Sequence, residues 1–185
     1  MQPGDALLIV DVQNDFCPDG ALGVAEGDHV VPVLNQWIEE ARRRSVPVFA
    51  SRDWHPAGHV SFKERGGPWP PHCVQGTTGA AFRSDLQLPA SVEILSKGYD
   101  PDKDSYSAFG GTSLEGKLRE AGIKRLWIGG LALDYCVRET TLDAIRAGYE
   151  VHVLVDGSRA VNVPAGDGQR ALDDMRRAGA ILEQS

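Results

Sequence analysis

The sequence predicts one doubly wound α/β domain, with a mostly parallel six-stranded sheet and helices on both of its faces. Three observations predict it. Short apolar runs, near-continuous and rich in β-branched residues, recur along the chain, as strands buried on both faces require. Helical patterns separate those runs, which makes βαβ units. The length, 185 residues, is what one such domain fills with a substantial core.

The first strand is the run at 6–10 (ALLIV). Val30, Val33, Leu34, Trp37, Ile38 and Ala41 then recur at helical spacing, and the arginines at 42 to 44 form the exposed end of that helix. A second strand follows at 46–50 (VPVFA) and a third at 92–95 (VEIL). Leu114, Leu118 and Ala121 mark a short helix that Gly122 terminates, ahead of a strand at 125–128 (RLWI). Val137, Thr141, Ala144 and Ile145 mark the next helix, and 151–155 (VHVLV) the next strand. A last helix carries Ala171, Met175 and Ala178 and stops at Gly179, after which Ala180 to Leu182 close the sheet. No repeat, low-complexity tract or linker interrupts this order, so residues 1–185 read as a single domain.

One stretch breaks the alternation. Residues 53 to 91 have weak periodicity and many turn residues, and a loop that long inside a compact domain is usually functional or disordered. Its aromatic and histidine content speaks for order. Its lack of apolar periodicity says that burial is not its purpose. Four residues of metal-ligand type fall between Asp53 and His72: Asp53 and His55 in RDWH, His59 in PAGH, and His72 in WPPH. One carboxylate with two or three imidazoles matches a divalent site of zinc, iron or manganese type. His29 and His152 lie apart, at a helix start and within a strand, without liganding neighbours.

Composition narrows the class. A net charge of −7 argues against a nucleic-acid partner, because phosphate binding needs a basic surface. No apolar run approaches the roughly eighteen residues of a membrane span, and MQPGDALLIVD has no secretory pattern. Cys17, Cys73 and Cys136 are odd in number and widely spaced, which implies no disulfide framework and fits a reducing cytoplasm.

In open α/β sheets, ligands bind beyond the carboxyl ends of the strands. Asp11 follows the first strand, Asp53 the second and Lys97 the third, while Cys136 comes a few residues past the fourth, at the start of the next helix. Each alone has an ordinary reading: turn former, solvated lysine, small core residue. Their convergence on one sheet edge points to chemistry. A cysteine near a helix N-terminus gains thiolate character. Asp11 can take its proton and later return it to a leaving amine, with Lys97 holding Asp11 in place. Gly129, Gly130 and Ala132 allow a tight backbone turn, so the N–H groups of Ala132 and Cys136 could form an oxyanion hole. The expectation is acyl transfer by a cysteine nucleophile.

The segments DVQNDF (11–16), SRDWHPAGHVSF (51–62), WPPHCVQGTTGA (69–80), SKGYDPDKDSYSAF (96–109) and GLALDYCVRETTLDA (131–144) run in order across nearly the whole chain. Together they resemble the nicotinamidase (pyrazinamidase) branch of the isochorismatase-like cysteine hydrolases. The first and last are shared across that superfamily; the metal segment and DSYSAF are the discriminating parts. The resemblance implies a Rossmann-like fold and a triad of Asp11, Lys97 and Cys136. It implies metal ligands Asp53, His55 and His72, with His59 either a ligand or acting through water. It implies a cis peptide at Leu131–Ala132 shaping the oxyanion hole. Phe16, Trp69 and Tyr106 would form an aromatic pocket for a pyridine ring, and the activity would be hydrolysis of nicotinamide to nicotinate and ammonia, a step of NAD salvage. Leu133 departs from the threonine many relatives carry there.

Two other readings stay open on sequence alone. One is a related amidase acting on another carboxamide or carbamoyl compound; the other is a noncatalytic small-molecule binder or metal sensor on the same fold. The sequence also leaves open the identity of the metal and whether the chain forms a homo-oligomer.

Overall fold

The computed structural model describes residues 1–184. Six strands form one sheet: β1 (Asp5–Val10), β2 (Val48–Asp53), β3 (Glu93–Lys97), β4 (Arg125–Leu131), β5 (Glu150–Arg159) and β6 (Ile181–Glu183). Four α-helices connect or cover them: α1 (Val30–Arg43), α2 (Leu114–Glu120), α3 (Arg138–Arg146) and α4 (Asp167–Ala178). The strand order is β3-β2-β1-β4-β5-β6, and every neighbouring pair is parallel. The chain winds outward from β1 through β2 to β3, then crosses back to β4. The switch point of the sheet therefore lies between the carboxyl ends of β1 and β4, where such folds bind ligands.

Strand alternation divides the core in two. Ala6, Leu8 and Val10 of β1 face one side, packed with Leu114 and Leu118 of α2, Ala144 of α3, and Ala171 and Met175 of α4. Leu7 and Ile9 face the other, packed with Leu34, Ile38 and Ala41 of α1. This second layer also takes in Cys73, Ala80 and Leu86 from the long 53–91 excursion. The excursion does bury surface, contrary to the expectation from its irregular pattern, because its apolar residues are anchored singly rather than along a helix or strand face. No helix among the described residues is long and apolar enough to cross a membrane.

The apolar runs mark the strands but not their ends. β2 continues through polar Ser51, Arg52 and Asp53, carried by its ladders to β1 and β3. β5 runs on to Arg159, past a register shift opposite Ile128–Gly130 of β4. At Gly130 (φ +137°) an added Cβ would stand 2.0 Å from the Val10 carbonyl oxygen. Only glycine lets β4 come that close to β1 at the switch point. After β4, a π-helical turn (Leu133–Val137) precedes α3.

Candidate active site

The carboxyl ends of β1 to β4 converge on one buried lysine. Asp53 and Lys97 are the last residues of β2 and β3 and are register partners, so both side chains leave the same edge on the same side. Lys97 Nζ lies 2.8 Å from Asp11 Oδ2, 2.5 Å from Asp53 Oδ1 and 3.5 Å from Cys136 Sγ. Lys97 and Asp11 have no solvent exposure, and Asp53 and Cys136 have almost none. Burial alone would pull the Lys97 ammonium down, but Asp11 and Asp53 more than offset it and hold it well above the usual lysine range. Burial likewise opposes ionisation of Asp53, yet Lys97 and His55 keep its carboxyl below the usual range.

Asp11 differs from Asp53. Its backbone is left-handed (φ +49°), which turns the side chain back over the sheet edge. Oδ1 accepts the Ser51 hydroxyl at 2.7 Å, and Oδ2 is ion-paired with the Lys97 ammonium. Burial raises its pKa, with Lys97 opposing and Asp53 adding to the rise. A carboxylate with a raised pKa is a better proton acceptor than an ordinary aspartate. Ligand atoms of Asp11, Asp53 and Cys136 lie within 4.8 Å of one another.

Cys136 sits fourth in the π-helical turn that leads into α3, near a helix start as expected, but that position does not activate its thiol. Burial pushes its thiol well above the ordinary value, and Lys97 only partly opposes this. The resting group is a thiol that needs a base. Of the other cysteines, Cys17 is pushed up to about 11 by burial and Cys73 well above its usual value, and neither contacts Lys97 or lines the pocket.

The second cluster begins on the other oxygen of Asp53. Oδ2 is 3.6 Å from His55 Nε2 and 3.9 Å from His72 Nε2, and all three side chains are buried. His55 Nδ1 faces the Gly98 carbonyl at 2.9 Å, and His72 Nδ1 the Pro70 carbonyl at 2.9 Å. A carbonyl can only accept, so each Nδ1 carries a proton and Nε2 is the nitrogen left for an ion. Burial opposes protonation of His55, but the adjacent Asp53 overrides it and raises its pKa. Gly98 is required beneath this ring: at φ +62°, an added Cβ would stand 2.4 Å from His55 Cε1. Donor spacings of this size are what bonds of about 2.0–2.2 Å to one ion produce. Asp53, His55 and His72 therefore fit a divalent metal.

His59, for which a direct and a water-mediated role were both open, lies outside the group formed by Asp53, His55 and His72. Its Nδ1 pairs with the Ser61 hydroxyl at 2.8 Å and its Nε2 with the Lys103 carbonyl at 3.0 Å. With both nitrogens engaged, its ring stacks on His55 at 4.2 Å and buttresses that imidazole.

Between the two clusters opens a small pocket. Phe16, Trp69 and Tyr106 line it, with Ala132 and Cys136 at its base and Asp53 and His72 on the metal side. Trp69 Nε1–H donates to Tyr106 Oη at 3.0 Å, and the Trp69 ring meets Tyr135 edge-on at 5.2 Å. The Leu131–Ala132 peptide is cis, as the resemblance implies. The Ala132 carbonyl is turned into the helical turn, accepting N–H groups of Tyr135 and Val137 at 3.1 Å each.

Sequence reasoning missed several of the residues that build this site. Gln13 is fully buried; its amide N–H₂ donates to the carbonyls of Asp53 (2.8 Å) and Ala80 (2.9 Å), and its Oε1 accepts the Asp53 N–H (2.8 Å). Asp15 Oδ2 accepts the Cys73 N–H at 2.7 Å, next to the ligand His72. Both lie in the DVQNDF motif, whose position after β1 was the available signal. Tyr135 could have been suspected beside Cys136. Leu22 and Val161 reach the pocket from loops that carry no sequence signal.

Comparison with known proteins agrees with this geometry. Residues 5–185 match the isochorismatase domain family model. The chain is 44% identical to a nicotinamidase of Escherichia coli (strain K12), over 97% of this chain and 94% of that one. It superposes on the pyrazinamidase of Pyrococcus horikoshii in complex with zinc, with a TM-score of 0.95, 46% identity and coverage of 99% and 100% of the two chains. A PnC1 of L. infantum in complex with nicotinate follows, with a TM-score of 0.89, 34% identity and coverage of 98% and 93%.

Proposed function

The chain belongs to the isochorismatase domain family, and from that premise we propose that it is a metal-dependent nicotinamidase, hydrolysing nicotinamide to nicotinate and ammonia. The observation that carries the reading is the position of Lys97, which touches Asp11, Asp53 and Cys136 at once. It fixes a thiol–carboxylate pair and a metal-ligand set against one small aromatic pocket.

In this reading the whole chain works as one unit, and the 53–91 excursion supplies the metal and substrate contacts. Phe16, Trp69 and Tyr106 hold the pyridine ring. Asp11 takes the Cys136 proton as Sγ bonds to the carboxamide carbon, and the carbonyl π electrons move onto oxygen. The N–H groups of Ala132 and Cys136 stabilise that oxyanion. As it collapses, the C–N bond breaks, Asp11 returns the proton to nitrogen, and ammonia leaves a thioester. Asp11 then deprotonates a water that attacks the thioester carbon. The second oxyanion collapses with cleavage of the C–S bond, Asp11 returns its proton to sulfur to restore the thiol, and the acid released ionises to nicotinate. Lys97 stays protonated throughout and keeps Asp11 placed while its charge changes. Asp53, His55 and His72 would hold a divalent ion, zinc being our assignment, and when bound it supplies Lewis acidity toward the ring nitrogen. Three buried free cysteines fit a reducing cytoplasm.

The test is ammonia release from nicotinamide, with metal analysis of the same preparation. Turnover by the wild type and its loss in Cys136→Ala, with nicotinamide binding retained, is the expected result. Ammonia release that survives in Cys136→Ala would sink the mechanism.

A further inference from the structure

The segment after β5, residues 160–166, belongs to no helix or strand, yet one of its residues, Val161, forms a wall of the pocket. Val161 packs against the core cluster on the α1 side of the sheet, and one side chain from another element binds the backbone there. Asp134 Oδ1 accepts the Val161 N–H at 2.9 Å, and Oδ2 accepts the Asn162 N–H at 2.8 Å. Both oxygens of one carboxylate are spent on two consecutive amides of another element, 27 and 28 residues away in sequence. Asn162 adopts a left-handed backbone (φ +55°), which turns the chain so that both amides face Asp134. Just beyond the latch, Val163 is 63% exposed. The far end of the segment is tied down separately, by the Gly168 N–H on Asn162 Oδ1 at 2.9 Å.

We propose that Asp134 is a positioning residue that latches residues 160–163 against the pocket, so that Val161 limits the size of ring the pocket accepts. This rests on the nicotinamidase reading for its substrate, but the latch itself does not. Asp134 is two residues before the nucleophile, in the same helical turn. The latch therefore ties the movable wall to the element that carries Cys136. On the nicotinamidase reading this apolar wall has no polar group to offer the developing oxyanion, so it binds ground state and transition state alike. Its loss appears in KM rather than kcat.

Asp134→Ala removes both acceptors, and Asp134→Asn keeps one oxygen while replacing the other by a donor. Two charge-assisted hydrogen bonds set the scale: KM for nicotinamide should rise about tenfold in Asp134→Ala, with kcat within about threefold of wild type. The preference for nicotinamide over ring-methylated nicotinamides should fall about tenfold as the wall gives way. Hydrogen exchange read at the Val161 and Asn162 amides should accelerate in Asp134→Ala and lie between in Asp134→Asn. If Asp134→Ala does not fold, Asp134→Asn decides by the same readings. Unchanged exchange at both amides, or a fall in kcat at constant KM, overturns the latch. If the wild type releases no ammonia from nicotinamide, the nicotinamidase reading falls. Amide exchange then judges the latch alone: lost protection supports it and retained protection overturns it.

Discussion

Asp53 meets Lys97 across the β2–β3 ladder, Oδ1 to Nζ at 2.5 Å, while its second oxygen faces the imidazoles of His55 and His72. One carboxylate thus belongs both to the reactive cluster and to the metal set. Its position is not free to serve either alone, because the register pairing of Asp53 with Lys97 fixes both backbones.

Removal of the lysine charge should therefore damage stability as well as turnover. Lys97→Met leaves Asp11 and Asp53 buried with no cation between them. Breaking a buried pair on one side costs about 3–5 kcal/mol. Urea unfolding should show a loss of that order, with ammonia release lost as well. A stability change below about 1 kcal/mol, the level of an exposed pair, would mean that the cluster is not the electrostatic centre of this sheet edge.

Gln13 should matter for metal binding without touching the metal. Its side-chain amide satisfies both the N–H and the carbonyl of Asp53 and bridges to Ala80 in the excursion. Gln13→Ala removes these bonds and leaves buried backbone groups of Asp53 unpaired, a cost of about 1–3 kcal/mol. Groups that orient ligands are typically worth about 10–100-fold in metal affinity. Competition with a chromophoric chelator should register a loss in that range. Unchanged affinity would show that Lys97 and the β2 ladder suffice to hold Asp53.

These contacts also mark what the sequence could and could not disclose. Asp11, Lys97 and Cys136 were legible because each follows an apolar run that reads as a strand, and parallel strands place such residues on one edge. The imidazoles were legible by type. The Asp53–Lys97 contact was not, since it depends on a register that no local pattern encodes. Gln13 has no titrating group and gave no chemical signal. His59 carried the right side chain for a ligand, but whether its nitrogens are already engaged is decided by Ser61 and the Lys103 carbonyl, 44 residues away for the second. Burial of the thiol was equally hidden: a position near a helix start suggests activation, whereas at Cys136 burial dominates and raises the thiol.

The amino-terminal edge of the sheet should govern acid stability. Asp5, only 1% exposed, accepts hydrogen bonds from Arg125 Nε at 2.8 Å, the Gln2 N–H at 2.9 Å and Trp127 Nε1 at 3.1 Å. Burial by itself would raise its carboxyl, and these donors reverse that and hold it below the usual carboxylate value. A group with a depressed folded pKa contributes its stability in full above the unfolded value, about 3.9, and loses it as pH falls through the folded one. Asp5→Asn should be less stable than wild type at pH 7, by about 1.5–3 kcal/mol for charge-assisted bonds, and the difference should shrink below about pH 4. Paired urea titrations at neutral and acid pH check this. A gap that persists undiminished at acid pH would assign the effect to packing instead of charge.

Metal removal should silence the enzyme while leaving it folded. Both imidazoles are anchored by protein groups, His55 by the Gly98 carbonyl and His72 by the Pro70 carbonyl, and His59 stacks behind His55. Asp53 is held by Lys97 and Gln13. The site is thus built by the protein fold, unlike small metal domains in which binding and folding are one event. After dialysis against a chelator, ammonia release from nicotinamide should vanish and return on addition of zinc, iron or manganese. The Tm should drop only by the linkage term, since an ion present at about 100 times its Kd adds about 2.7 kcal/mol to the folded state. His72→Ala should lose both metal retention and turnover at a similarly modest cost in Tm. An apo protein that unfolds at room temperature would contradict the preformed site, because the anchors on Nδ1 would then be a consequence of the ion and not its precondition.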